Sequence, residues 1–378
     1  MDYNRYFSDD VPSFMKSPVR EIFRLVDLSS IYSFAGGYPD AATFPQEDIK
    51  RLSALVLEKY GTKSLQYSAT QGIIELREVI ARRYGVPVDN VMVTTSSQQG
   101  IDVCTRILCN PGDTILTTAP TYLGALQSFR SYRANVVTLP SWEMSNCAEK
   151  PKFCYIIPDF QNPSGETMTL QEREKLVRMA RERDFIIVED SPYRELRYSG
   201  TPEPTIYSLA PERTLHLGSF SKVFAPGFRL GWIIGPPELL EQIYICKQAL
   251  DLCPPVFNQY MAAEFMGSGA LDANLSKSIE LYRSKRDLML GLLEKYMPEG
   301  VSWTRPEGGL FLFLTLPEHI DTVALYDRAL AAGVAYVAGS FFYPDGSHRN
   351  TMRLNFSYLD ASRMEPGLRI LGEIISQA

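Results

Sequence analysis

Apolar residues in this chain fall into short runs separated by polar or helical stretches. The segments Val91–Thr95, Thr114–Thr118, Asn135–Leu139, Phe153–Pro158, Phe185–Glu189, Thr214–Leu217 and Leu230–Gly235 are rich in branched and aromatic residues, and several are apolar almost throughout. Such runs predict strands buried on both faces. Gln99–Cys109, Thr121–Tyr132 and Thr169–Asp184 carry apolar residues three and four positions apart, the spacing of a helix with one buried side. Strands alternating with helices predict an α/β fold built on a mainly parallel seven-stranded sheet with helices on both sides. In such sheets ligands collect at the carboxyl ends of the strands.

The last third has a different rhythm. Asn274–Tyr296 reads as one long helix, Gly309–Leu316 as a strand, Thr322–Ala332 as a helix, Met352–Phe356 as a strand and Ser362–Ser376 as a helix. This predicts a smaller α+β domain over 270–378, a large domain over 39–269, and an N-terminal segment over 1–38 packing with the small domain. Composition adds exclusions. The chain has 378 residues, 45% hydrophobic and 22% charged, with a net charge of −6. That charge disfavours nucleic acid and anionic membrane surfaces as partners. No run of ~18 apolar residues exists to span a membrane, and the start Met1–Arg5 has none of the features of a signal peptide. Cys104, Cys109, Cys147, Cys154, Cys246 and Cys253 form no C-x-x-C pair, and there are three histidines. We expect no metal site, and idle thiols in a reducing cytoplasm.

The chemistry sits where the predicted strands end. Lys222 lies in Ser219-Phe220-Ser221-Lys222-Val223-Phe224-Ala225-Pro226-Gly227-Phe228-Arg229. Two hydroxyls before a lysine and an arginine after it suit a bound anion such as a phosphate, and an imine-forming lysine beside a phosphate is the layout of a pyridoxal-phosphate enzyme. Ser96-Ser97-Gln98-Gln99-Gly100 follows the first strand and opens a helix, as a phosphate cradle or as an ordinary polar cap. Tyr122, after Ala119-Pro120-Thr121, offers a stacking face or a core ring. Asn162, in Gln161-Asn162-Pro163-Ser164-Gly165, sits in a turn with an amide able to donate to a phenolate. Glu189-Asp190 closes an apolar strand, and a buried carboxylate there needs a cationic partner that a pyridinium would supply. Tyr193 follows three residues on.

Together these segments resemble the class I/II aminotransferases of pyridoxal-phosphate fold type I. Within that family the chain is similar to the branch of 2-aminoadipate and kynurenine aminotransferases and MocR effector domains. The resemblance runs from Ser33-Phe34-Ala35-Gly36-Gly37-Tyr38-Pro39, through Leu65-Gln66-Tyr67-Ser68-Ala69-Thr70-Gln71-Gly72, to Arg349-Asn350-Thr351-Met352-Arg353-Leu354-Asn355-Phe356. It implies that Lys222 holds pyridoxal 5′-phosphate covalently and shuttles the substrate proton. It implies that Asp190 pairs with the ring nitrogen, that Asn162 and Tyr193 bind the 3′ oxygen, and that Tyr122 stacks on the ring. Ser97, Gln98, Ser219, Ser221 and Arg229 would hold the phosphate, with Tyr67 arriving from the other subunit of a homodimer. Arg353 would clamp the substrate carboxylate, helped by Asn162 and Gly37, with Tyr38 and Arg20 near the substrate side chain. Two positions depart from many relatives: Ser96 replaces a glycine and Tyr38 a small aliphatic residue. The stretch Ser141–Lys152 is short for this branch.

The expected activity is ping-pong transfer of an amino group between an L-amino acid (2-aminoadipate, an aromatic or another broad-range substrate) and a 2-oxo acid such as 2-oxoglutarate. A lyase or another pyridoxal-phosphate reaction on the same fold is the alternative, since it would use the same residues and the motifs do not separate them. An effector module of a regulator is a lesser one, because the residues before Phe34 are too few for a winged helix-turn-helix.

Overall fold

In the computed structural model, residues 1, 3–8, 11, 30–139 and 150–378 are described. Thirteen strands are found among them. A short strand β1, Tyr32–Ser33, begins the described chain after its terminal residues. The strands β2 (Val91–Thr94), β3 (Thr114–Thr117), β4 (Asn135–Thr138), β5 (Phe153–Ile156), β6 (Ile186–Asp190), β7 (Thr214–Ser219) and β8 (Gly231–Ile234) form one seven-stranded sheet in the order β2-β8-β7-β6-β5-β3-β4. The strands β9 (Ser302–Trp303), β10 (Phe311–Thr315), β11 (Val334–Ala335), β12 (Val337–Ala338) and β13 (Thr351–Asn355) follow. Of these, β12-β13-β10-β9 make an antiparallel four-stranded sheet, while β11 pairs in parallel with β1.

All seven strands of the large sheet lie where the apolar runs predict them, because β2, β3, β5, β6 and β7 are covered on both faces. One face carries the helices Ser96–Leu108, Leu123–Ser131 and Pro237–Gln248, whose Ile101, Leu126, Phe129 and Ile243 pack on Met92, Ile115, Phe153 and Leu215. The opposite face buries Leu176, Val177 and Ala180 of the helix Leu170–Arg183 on Leu116, Cys154, Ile156 and Ile187. That helix starts at a capping box between Thr169 and Glu172.

Strand β8 alone runs against its neighbours: β2–β8 and β7–β8 are antiparallel, and the remaining pairs are parallel. Six strands therefore end on one edge, and β8 starts there. The Ser96–Leu108 helix begins three residues before the periodicity suggests, since its first turn is polar and faces a cavity rather than the core. The long C-terminal helix likewise begins earlier, at Ala270. The helices Gln46–Tyr60, Ile74–Tyr84 and Val256–Gly267 were not anticipated; they pack together beside β2. No helix among the described residues is long and apolar enough to cross a membrane.

After β5 the chain turns at Asp159, which is buried with Arg173. Arg173 Nη2 donates to Asp159 Oδ1 at 2.8 Å, and Arg173 also donates to the carbonyls of Met168, Pro158 and Pro204. Arg194 takes the other carboxylate oxygen at 2.8 Å. A charge this deep is tolerated only while its partners stay in place. Arg173→Met should therefore lower unfolding stability by about 3 kcal/mol in denaturant titrations of the whole chain; a loss below about 1 kcal/mol would show that Arg194 and the more distant Arg197 suffice.

Candidate active site

The shared strand edge opens into a cavity of about 870 Å³. Its walls include Gly37, Tyr38, Ser97, Gln98, Tyr122, Asn162, Asp190, Tyr193, Ser219, Ser221, Lys222, Arg229 and Arg353. Thus every candidate residue named from the sequence reaches one space, with two exceptions. Tyr67 is 78% exposed and does not line it. Arg20 lies outside the described residues, as do residues 141–149 of the short connection.

Lys222 follows β7 and points inward, its Nζ donating to the Gly37 carbonyl at 2.7 Å. Burial pushes its amine down to about 8, and the positive charges of Arg353 and Arg229 add to the effect. Across the cavity, β6 ends in two acids that alternation sends to opposite faces of the sheet. Glu189 accepts from the backbone N–H groups of Ile206 and Tyr207 and bonds His216, all within 3.0 Å, on the side away from the cavity. Asp190 faces inward. Its Oδ2 accepts from the Tyr155 hydroxyl at 2.7 Å, while its buried Oδ1 has no partner. Burial raises the Asp190 carboxyl to about 6, against the pull of the Tyr155 bond and of His216.

Arg353, on β13, comes from the smaller sheet to meet these groups. Its Nη1 donates to Asn162 Oδ1 at 2.8 Å and its Nη2 to the Ala35 carbonyl at 2.5 Å. The guanidinium lies 4.2 Å from the Phe311 ring centre and 5.1 Å from that of Phe342. Its Nε is buried and unpartnered. Burial lowers its value to about 10, so it remains a cation at neutral pH. Tyr193 is buried against the edge of Phe311, its ring centre 5.7 Å away, and burial also holds its hydroxyl protonated.

The start of the Ser96–Leu108 helix supplies the third wall. Ser96 adopts a left-handed φ of 67°, and Arg229, at φ 53°, donates from Nη2 to Ser96 Oγ at 2.7 Å. The reach is short because β8 runs backwards and pairs Gly231 with Thr94. A Cβ at Gly231 would stand 2.8 Å from Ser96 C and Ser97 N, so only glycine lets β8 approach this turn. Gln98 Nε2 donates to the Gly124 carbonyl at 3.0 Å, which holds the helix start against the Tyr122 wall.

An unpartnered carboxylate oxygen, a free cationic N–H, an amine of lowered basicity and a helix start line one cavity. This donor set fits pyridoxal phosphate with an amino acid: a protonated ring nitrogen for Asp190 Oδ1, a carboxylate for Arg353, and a phosphate for the helix start and Arg229. Tyr155, Ala35, Phe311 and Phe342 were missed from the sequence. Tyr155 is an aromatic inside an apolar strand, and only the β5–β6 register, which sets it opposite Val188, brings it to Asp190.

Comparison with known proteins gives a consistent result. The family model for aminotransferase class I and II matches residues 35–371. The aromatic-amino-acid aminotransferase 1 of Thermococcus litoralis is 43% identical over all of this chain and 95% of its own length. The crystal structure of Pyrococcus horikoshii kynurenine aminotransferase, in complex with PMP, superposes with a TM-score of 0.95 at 42% identity, covering 100% of this chain and 98% of that one. An α-aminoadipate aminotransferase from Thermus thermophilus, complexed with N-(5′-phosphopyridoxyl)-L-leucine, gives 0.94 at 34% identity, covering 100% and 99%.

The lowered amine at Lys222 has a direct consequence. In cofactor-free protein, imine formation with an added aldehyde, corrected with Lys222→Ala, should accelerate as pH rises through about 8, where the neutral amine takes over. A midpoint near the ordinary lysine value of 10.5 would mean that burial and the two arginines do not act on the amine.

Proposed function

The chain belongs to the class I and II aminotransferases, and from that premise we propose that Lys222, Asp190 and Arg353 carry its reaction. The protein is a pyridoxal-phosphate-dependent enzyme that moves amino groups between amino acids and 2-oxo acids. The observation that carries the assignment of roles is convergence: these three side chains come from three separate segments and share one cavity.

Pyridoxal phosphate, when bound, supplies an electron-accepting ring that stabilises negative charge at the substrate Cα. Asp190 Oδ1 then holds the ring-nitrogen proton, and the resulting ion pair lowers the carboxyl from its raised value. Asn162 and Tyr193 would hold the 3′ oxygen, and Tyr122 would stack on the ring. Ser97, Gln98, Ser219, Ser221 and Arg229 hold the phosphate. Arg353 grips the substrate carboxylate through its free Nε and a neighbouring nitrogen, while Asn162 and Ala35 fix the plane of the guanidinium. By fixing the carboxylate, Arg353 would orient the substrate Cα and so favour proton loss over loss of carbon dioxide. Lys222, its Nζ inside the cavity, would be the base that takes the substrate Cα proton and gives it back. Its lowered basicity leaves part of the amine unprotonated for that task.

Within this reading the amino donors are 2-aminoadipate, aromatic amino acids or kynurenine, as the names of the relatives suggest, and the acceptor is a 2-oxo acid such as 2-oxoglutarate. The large cavity, rimmed by Tyr38, accommodates such side chains. Arg20 would meet a distal carboxylate. The working form is a homodimer in which Tyr67 crosses to the partner's phosphate. Support comes from its exposure beside Leu65, also 68% exposed, both outside the cavity of their own chain. The domain division at 39–269 and 270–378 follows the two sheets, and the pairing of β1 with β11 supports placing 1–38 with the smaller part. Free thiols at Cys104, Cys109, Cys154, Cys246 and Cys253 suit a reducing cytoplasm.

Two variants test the roles. Lys222→Ala should lower turnover at least about a thousandfold while leaving the fold unchanged by circular dichroism; normal multiple turnover would remove Lys222 from its role. Arg353→Lys should raise KM about tenfold for both the amino acid and the oxo acid. An unchanged KM for both would place the carboxylate elsewhere.

A further inference from the structure

Thr95 occupies the position before the first turn of the Ser96–Leu108 helix, where a threonine hydroxyl normally accepts from the second or third N–H of the helix. Here it makes no such bond. Its Oγ1 instead donates to Asp251 Oδ2 at 2.6 Å. Gln99 Nε2 donates to the same oxygen at 2.8 Å, and Gln99 Oε1 accepts from the Thr95 backbone N–H at 2.8 Å. The other carboxylate oxygen, Oδ1, takes Lys247 Nζ at 2.6 Å. The Lys247 side chain is fully buried. It lies in the last turn of the helix Pro237–Gln248, and Asp251 is four residues further on.

We propose that Asp251 is a positioning residue for the phosphate site: it draws the Thr95 hydroxyl away from the helix start and so keeps the N–H groups of Ser97 and Gln98 free to bind the cofactor phosphate. The proposal rests on the reading that pyridoxal phosphate occupies the cavity. An ordinary threonine cap would fill those N–H groups and compete with an anion for them. A carboxylate so near a phosphate site would repel the phosphate if left bare. Lys247 removes that difficulty, because the pair is neutral overall and the lysine is spent on Asp251 alone among the side chains it bonds. Gln99 locks the arrangement by tying Asp251 to the backbone of Thr95. Phosphate affinity is thereby set by a neutral pair behind the cradle that does not touch the phosphate.

The test compares two forms of the cofactor on the full-length chain. Pyridoxal phosphate and phosphate-free pyridoxal are each titrated into cofactor-free protein and followed by absorbance. Lys247→Met with Asp251→Ala removes both charges together, so no lone buried charge remains. The double variant should bind pyridoxal phosphate about tenfold more weakly and pyridoxal within about twofold of the parent. Adding Thr95→Val, which deletes the hydroxyl freed to recap the helix, should restore most of the lost affinity. Equal weakening for both forms would reduce the pair to a structural role and overturn the proposal, as would unchanged pyridoxal phosphate affinity. Should the double variant fail to fold, Thr95→Val alone decides: retained affinity supports the proposal, and a large loss means that the hydroxyl itself binds phosphate. Parent protein that binds neither form would instead overturn the cofactor reading.

Discussion

Strands that run the same way must end on the same side of their sheet, and this site is built from that constraint. Strands β2, β5, β6 and β7 deliver Ser97, Asn162, Asp190 and Lys222 to one edge without any long excursion of the chain. The reversed β8 completes the set from the other direction, since its starting end carries Arg229 and Gly231 to the turn after β2. Helices on both faces bury the strands, so their ends are held by packed side chains rather than by loops. Arg353 is the contribution of the smaller sheet, and its bond to Asn162 joins that sheet to the larger part at the cavity itself.

The cavity keeps its ionisable groups in strained protonation states. Asp190 is a carboxylate with one oxygen tied to Tyr155 and the other bare, Lys222 is an ammonium desolvated beside two arginines, and Arg353 is a cation between two phenyl rings. Each is costly alone, and each lacks one partner that pyridoxal phosphate or an amino acid carries. Such a site binds tightly what completes it, because the protein has already met the cost of orienting the groups. The buried Asp159–Arg173 pair and the Lys247–Asp251 pair lie outside the cavity lining, the first at the turn after β5 and the second against Thr95 at the start of the Ser96–Leu108 helix.

The sequence is most informative where one residue type does one job at a strand end. Lys222, Asp190, Asn162 and Arg229 could be named because apolar runs locate the strands, and their polar neighbours then stand out. Contacts that depend on register stay hidden. Tyr155 reads as one more aromatic in a buried strand until β5 is set beside β6. Glu189 and Asp190 look alike in sequence and differ only in the face they take. Lys247 and Asp251 have the spacing of an ordinary surface pair on a helix, yet the lysine is buried and the acid serves a distant helix. The polar first turn of the Ser96–Leu108 helix conceals where that helix begins, since its side chains face a cavity and interrupt the apolar period.

The proposed chemistry requires the amine at Lys222, and no other in the chain, to form the covalent link to the cofactor. Borohydride reduction of the protein loaded with pyridoxal phosphate fixes that link irreversibly, and peptide mass spectrometry then locates it. A single phosphopyridoxyl group is expected on the peptide containing Lys222. The same group on another lysine, or none on a protein that has bound the cofactor, would contradict it.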